Sequence, residues 1–302
     1  MDGLDWIAVD WGTSNLRVWA MGRGNRVLAT ADSPKGMGSL TRDGFEPALL
    51  ELIGGWIEGH GRVTVVACGM VGARQGWVEA AYRAVPCTPV DAGSGLTRPE
   101  VSDRRLSVHI VPGLSQARPA DVMRGEETQA AGFLAAEPDF DGVLCLPGTH
   151  SKWAHVSAGE IVSFQTFMTG EVFALLSTQS VLRHGIAPEG WDDAAFAGGV
   201  SDALSRPERI GAALFSLRAE GLLHGLSPVA ARARLSGLLI GTELAAAKPY
   251  WLGRDIVLIG SEALCRSYAT ALAAQGATAR VAPAAGLTLA GLTVARNSLK
   301  ER

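Results

Sequence analysis

Residues 7 to 17 read Ile7-Ala8-Val9-Asp10-Trp11-Gly12-Thr13-Ser14-Asn15-Leu16-Arg17, and the fold is decided here. The apolar run Ile7-Ala8-Val9 predicts a buried strand that delivers Asp10 at its end. Gly12 to Asn15 predict a tight turn of small residues, and Arg17-Val18-Trp19-Ala20 a returning strand. A carboxylate at a strand end beside a Gly-Thr-Ser turn suits a metal–phosphate site. Asp10 can hold Mg²⁺ through water, while the backbone N–H groups and hydroxyls of Gly12, Thr13, Ser14 and Asn15 can cradle phosphate oxygens. An ordinary hairpin with an Asx-type turn fits the same residues, so the stretch gains weight only from a second phosphate turn further on.

The chain around it has 302 residues, room for two domains on a prior of about 150 each. With 47% apolar and 19% charged residues it can build cores, and disorder is not expected. A net charge of −3 argues against a nucleic-acid binder, which would carry a basic excess. No apolar run reaches the roughly 20 residues needed to cross a bilayer, so no membrane partner is expected. The acidic start MDGLDWIAVD has no basic n-region, so no signal peptide is expected. Cys68, Cys87, Cys145 and Cys265 are scattered without a CxxC pair, which fits a reduced, cytoplasmic compartment and no zinc site.

Working outward, residues 26–31 predict a third antiparallel strand. Residues 44–59 predict a helix with Phe45, Leu49, Leu52, Ile53 and Trp56 near one face, and 63–68 a buried strand. Gly69-Met70-Val71-Gly72 follows that strand directly; glycines there let a ligand approach the backbone, or make a tight strand–helix turn. Residues 86–119 read as surface excursions and a cleft wall around one strand at 106–111. Asp121 to Ala136 then predict a turn at Arg124-Gly125 and a helix from Glu126. Glu127, Ala130, Ala131 and Leu134 fall on one stripe, which sets a carboxylate at the head of an apolar face. Acidic residues in a first helical turn also suit the helix dipole, and that reading covers both Glu126 and Glu127.

A strand at 141–146 ends in Pro147-Gly148-Thr149-His150-Ser151-Lys152-Trp153, the second Gly-Thr turn, followed by returning strands at 152–156 and 160–167. The opening arrangement is thus repeated. It predicts related halves, 1–140 and 141–284, facing each other across a cleft, with a closing helix within 285–302 packed back on the first. Thr169-Gly170-Glu171 opens a further helix, and helices are expected at 207–223 and 228–247. A strand at 255–259 is turned by Gly260-Ser261-Glu262 into a helix at 263–274, and a short strand follows at 278–282.

The series DWGTSNLR, MRGEETQ, PGTHSKW and VLIGSEA resembles the 2-dehydro-3-deoxygalactonokinases of the sugar kinase/Hsp70/actin superfamily, from Ile7 to Ala295. DWGT is shared across that superfamily and implies only the fold: α/β, two ribonuclease H-like domains of the actin-like ATPase type. MRGEETQ and PGTHSKW are specific to the family. The resemblance implies ATP-dependent phosphorylation of the C6 hydroxyl of 2-dehydro-3-deoxy-D-galactonate, with Mg²⁺. Such chemistry needs positioned phosphates, a metal and an oriented hydroxyl.

On that reading Asp10 is the metal-linked catalytic residue. Gly12, Thr13, Ser14 and Asn15, with Gly148, Thr149, His150 and Lys152, hold phosphates. Gly260 and Ser261 leave room for adenosine. Arg17 and Arg124 are the cationic partners for the sugar-acid carboxylate, and Gly69, Met70 and Glu171 complete the acceptor site. Glu171 equally suits a helix cap. The second loop, Leu146-Pro147-Gly148-Thr149, supplies no carboxylate, whereas many superfamily members place one there. The base is then expected at the helix start: Glu127 on the stripe argument, Glu126 next. A kinase acting on another keto-deoxy sugar acid or an amino sugar fits the same motifs. A non-catalytic sugar-responsive protein fits less well, since such regulators usually add a DNA-binding module and none is expected ahead of a first strand at about residue 6. A homodimer stays open as the assembly.

Overall fold

The computed structural model describes residues 1–90 and 95–300; the last two residues of the expected closing segment 285–302 lie outside the described residues. The chain divides into two compact units. The first takes in residues 1–140, 156–163 and 284 onward, the second 141–155 and 164–283.

The first unit opens with β1 (Leu4–Trp11), β2 (Leu16–Gly22) and β3 (Val27–Ser33), then α1 (Phe45–Ile57) and β4 (Val63–Gly69). It continues through β5 (Arg83–Ala84), β6 (Leu106–Ile110), β7 (Leu114–Gln116) and β8 (Asp121–Met123) to α2 (Glu126–Ala136). The main sheet runs β3-β2-β1-β4-β6, antiparallel through β3, β2 and β1 and parallel from β1 to β4 and β6. This is the ribonuclease H-like order. Within 86–119, the segment read as surface excursions, β7 pairs with β5 before it and β8 after it in a small sheet, with strands too short to show as periodicity; residues 91–94 of that segment lie outside the described residues.

Alternation along β1 sorts the core into two layers. Ile7, Val9 and Trp11 face α1, where Trp11 meets Phe45 with ring centroids 4.9 Å apart. Trp6 and Ala8 face the opposite way, against Cys68, Ala131, Leu292 and Ala295. Asp10 follows Trp6 and Ala8 in period two, so its side chain belongs to that second layer.

The second unit repeats the order with β9 (Gly142–Leu146), β10 (Ser151–Ser157) and β11 (Glu160–Phe167), of which residues 156–163, the end of β10 and the start of β11, are grouped with the first unit. Next come α3 (Thr169–Thr178), α4 (Asp193–Ser205), α5 (Ile210–Leu223), α6 (Pro228–Ala246) and α7 (Lys248–Trp251). It ends with β12 (Ile256–Gly260), α8 (Glu262–Ala273) and β13 (Ala279–Pro283). Its sheet runs β11-β10-β9-β12-β13, with β12 parallel to both β9 and β13. The sequence reading lacks α4, whose Phe196 and Val200 join the core made by Cys145, Trp153, Ile240 and Tyr268.

A last helix, α9 (Ala284–Lys300), returns to the first unit and crosses α2. A Cβ at Gly132 would lie 2.0 Å from the Leu287 carbonyl oxygen, and one at Gly291 1.8 Å from that of Thr128, so the two backbones meet only through glycine. Among the described residues no helix is long and apolar enough to cross a membrane.

Candidate active site

In the first unit, β1 carries Asp10 into register with Arg17 on β2 and Cys68 on β4. Its Oδ1 lies 4.0 Å from Cys68 Sγ. Burial pushes the Asp10 carboxyl up, and the Arg17 guanidinium pulls it part of the way back. The turn beyond is closed by Gly12 N–H donating to the Asn15 carbonyl at 2.9 Å, and Thr13, Ser14 and Asn15 are exposed.

A second segment braces this turn from behind. Met37 N–H donates to the Gly12 carbonyl at 3.0 Å and Gly38 N–H to that of Thr13 at 2.8 Å. A Cβ on Gly36 would stand 2.3 Å from the Thr13 oxygen. The brace was not read from the sequence; its signal is Gly36-Met37-Gly38, two glycines in a stretch with no periodicity.

Around Asp10 the structure gathers several of the expected residues. Gly69 ends β4, buried, and Met70 begins the short turn beyond it. Arg17 is exposed, 5.9 Å from the Trp19 ring. Arg124 lies 4.4 Å over the Tyr82 ring, and its Nη2 donates to the Ala80 carbonyl at 2.8 Å. Its Nε and Nη1 are buried and have no hydrogen-bond partner among the described residues.

Gly125 turns the chain into α2. Glu126 is half-buried, and its Oε2 accepts the Arg124 N–H at 3.1 Å. Glu127 is fully buried: Oε2 accepts the Gly125 N–H at 2.6 Å and Oε1 the Thr128 hydroxyl at 2.9 Å. Burial, with the neighbouring Glu126 charge, pushes its carboxyl up to about 8. Burial, Asp10 and Glu127 together push the Cys68 thiol well up, which sets all three in one neighbourhood.

Of the two acids expected as base, Glu127 is thus enclosed and Glu126 half-buried. The stripe that singles Glu127 out in the sequence is the stripe that buries it.

In the second unit, β9 ends at Leu146 and the turn follows with Thr149 and His150 exposed. Glu171 N–H donates to the Thr149 carbonyl at 2.9 Å, and a Cβ on Gly170 would meet the Gly148 oxygen at 2.3 Å. His150 Nε2 and Glu171 Oε2 approach to 2.5 Å. Glu171, expected among the acceptor residues, is thus built into the second turn, while Arg17, Gly69, Met70 and Arg124 all belong to the first unit. Lys152 is 5% exposed and its Nζ donates to the His150 carbonyl at 3.2 Å, so it supports the turn from inside.

Gly260 lies against the same turn; a Cβ there would sit 3.1 Å from the Pro147 oxygen. Beside it opens a cavity of about 770 Å³, lined by Gly148, Gly170, Trp191, Arg232, Ser261 and Tyr268 among others. That volume suits a nucleoside-sized ligand. Of the expected nucleotide residues, Gly148 and Ser261 line it directly. Trp191, Arg232 and Ser236 were missed, since they come from a loop and a helix without motif; an aromatic in the loop Gly190-Trp191-Asp192 was the one available signal.

The family model for 2-keto-3-deoxy-galactonokinase matches residues 10–295. The chain is 40% identical over 299 residues to the "Probable 2-dehydro-3-deoxygalactonokinase DgoK1" of Rhizobium meliloti (strain 1021), covering 97% of this chain and 96% of the relative. It is 36% identical over 274 residues to the 2-dehydro-3-deoxygalactonokinase of Escherichia coli (strain K12), covering 90% of each. A crystal structure from Sinorhizobium meliloti, described as a candidate 2-dehydro-3-deoxygalactonokinase, superposes with a TM-score of 0.90 at 38% identity, over 97% of this chain and 99% of that one.

Proposed function

The chain belongs to the 2-keto-3-deoxy-galactonokinase family, and from that premise we propose that it phosphorylates the C6 hydroxyl of 2-dehydro-3-deoxy-D-galactonate with ATP. The bond from the C6 oxygen to the γ-phosphorus forms, the bond from that phosphorus to ADP breaks, and the hydroxyl proton passes to a carboxylate. The observation that carries this reading is a relative of that name, 40% identical along 97% of the chain.

The geometry supports distinct roles for the two units. In the second, the cavity beside Gly148 takes the adenosine, with Ser261 at its edge, and Thr149 and His150 face the phosphates. In the first, Thr13 and Ser14 offer hydroxyls to phosphate oxygens, and the Asp10 carboxylate, at the end of β1 beside that turn, would hold Mg²⁺ as a hard oxygen ligand. When bound, it supplies charge neutralisation for the transferring group.

Arg124, held over the Tyr82 ring, and the exposed Arg17 are the cationic partners of the sugar-acid carboxylate. Glu126, half-buried at the start of α2, orients the hydroxyl and accepts its proton. Glu127, whose buried carboxyl accepts the Gly125 N–H, positions the turn from which Glu126 projects. A kinase drawing on ATP is expected in the cytoplasm.

The test is ADP release from ATP, Mg²⁺ and a panel of keto-deoxy sugar acids and amino sugars, with the product mass and phosphorylated position read directly. Turnover restricted to the galactonate derivative and phosphorylated at C6 is the expected result. Preferential turnover of a different acceptor, or none of any, would overturn the proposal.

A further inference from the structure

One buried carboxylate lies outside every role assigned so far. Glu243, on α6, is 2% exposed. Its Oε1 accepts the Trp153 indole N–H at 2.7 Å, and its Oε2 accepts the Tyr268 hydroxyl at 2.7 Å and the Thr169 hydroxyl as well. The Tyr268 hydroxyl in turn meets Ser151 Oγ at 2.9 Å.

The donors come from three elements, and each of those elements also shapes the nucleotide half. Ser151 and Trp153 open β10 directly behind the Pro147–His150 turn. Thr169 begins α3, where the next two residues, Gly170 and Glu171, rest on the Gly148 and Thr149 backbone. Tyr268, on α8, and Thr169 both line the cavity. An apolar side chain would fill this place without the desolvation that a carboxylate carries. What a carboxylate adds is direction: two oxygens fix the bearing of an indole that can only donate and of two hydroxyls that would otherwise rotate.

Resting on the nucleotide reading given above, we propose that Glu243 is a positioning residue that holds the second phosphate turn, the start of α3 and the cavity wall of α8 in one fixed arrangement, so that it governs binding of ATP and leaves binding of the sugar acid untouched. The conservative exchange has a defined outcome. In Glu243→Gln the amide oxygen can still accept from Trp153, and the amide N–H groups can donate to the Thr169 and Tyr268 oxygens once those hydroxyls turn around.

Steady-state kinetics and calorimetric titration with ATP on the full chain test this. Glu243→Ala should raise the KM for ATP and its calorimetric Kd at least about tenfold, with the KM for the sugar acid within about twofold. Glu243→Gln should return both ATP constants to within about threefold of the parent. Should Glu243→Ala fail to fold, Tyr268→Phe decides, since it removes one donor and keeps the ring; its expected rise in the ATP constants is about threefold. A lower Tm with unchanged ATP constants would make Glu243 a fold residue only and overturn the proposal, and so would equal rises for both substrates. If the parent chain itself binds no ATP, the nucleotide reading fails and takes this inference with it. If it binds ATP and the variants bind equally well, the inference alone fails.

Discussion

The two units share a strand order and a Gly-Thr turn after the first strand, yet they differ at one position that matters. Two residues ahead of the turn glycine the first unit has Asp10 and the second has Leu146, which is 4% exposed. Both turns are braced the same way, by a glycine from a later segment pressed against a turn carbonyl: Gly36 on Thr13, Gly170 on Gly148. Their buried carboxylates also differ. Glu127 takes its two donors from adjacent residues of its own chain segment, and Glu243 takes its donors from three separate elements. The scaffold sets where a turn stands. On the proposed reading, the residue at the strand end sets whether that turn handles a metal, and the origin of the donors sets whether a buried acid serves its own helix or a whole site.

The sharpest way to break this comparison is at the strand ends. Asp10→Asn should cut kcat by a factor on the order of 10² or more, about 2.7 kcal/mol of barrier, with the circular dichroism spectrum unchanged. Leu146→Asn, its counterpart, should lower stability by roughly 1–3 kcal/mol through a buried amide lacking partners and leave kcat of the folded fraction within a few-fold. Near-normal turnover in Asp10→Asn would erase the distinction between the units.

The neighbouring acids of α2 come next. Glu126→Gln should lower kcat on the order of 10², with the KM for ATP little changed, while Glu127→Gln stays within a few-fold. The reverse outcome in kinetic assays would restore Glu127 as the base and show that the buried carboxyl moves out when substrate binds.

The braces should respond alike. Gly36→Ala and Gly170→Ala each drive a methyl to 2.3 Å from a carbonyl oxygen, so denaturant titration should find each destabilised by about 1–3 kcal/mol. A brace that tolerates alanine without loss would mean that its turn can yield.

The last effect is a slope, shallow at any one pH. Glu127 has an ordinary value of 4.5 and is held at about 8 in the fold, so between those limits the native chain keeps a proton that the unfolded chain gives up. Its contribution is fully present below pH 4.5 and is lost as the pH rises through 8, at up to ~1.4 kcal/mol per pH unit. Glu127→Gln should flatten that decline in stability measured across pH 5 to 8. An unchanged slope would mean that Glu127 is ionised in the native state.

Much of this was legible in the sequence where chemistry is local. Ile7 to Arg17 and Leu146 to Trp153 announce strand, turn and return within a few residues, because a strand end and its turn are set by neighbours along the chain. Glu243 gave no such notice: it sits in a helical run, Gly237 to Leu244, whose reading is only that of a buried helix, and its donors lie 25 to 90 residues away. Trp191 is hidden for the same reason, since the cavity it lines is made by tertiary packing. Glu127 shows how far periodicity reaches. The apolar stripe states which side chains are covered, as Glu127 is, but not which of two adjacent acids meets a substrate.

The crossing of α2 and α9 has a consequence for how the chain matures. Residues 141–155 and 164–283, which make the second unit, leave the ribosome before α9 does. The second unit can close around its own core while α2, with Glu126 at its head, still waits for the helix whose Gly291 must meet it. The first unit, begun first, is therefore finished last: the layer in which Leu292 and Ala295 cover Trp6 and Ala8 cannot close until the end of the chain has been made.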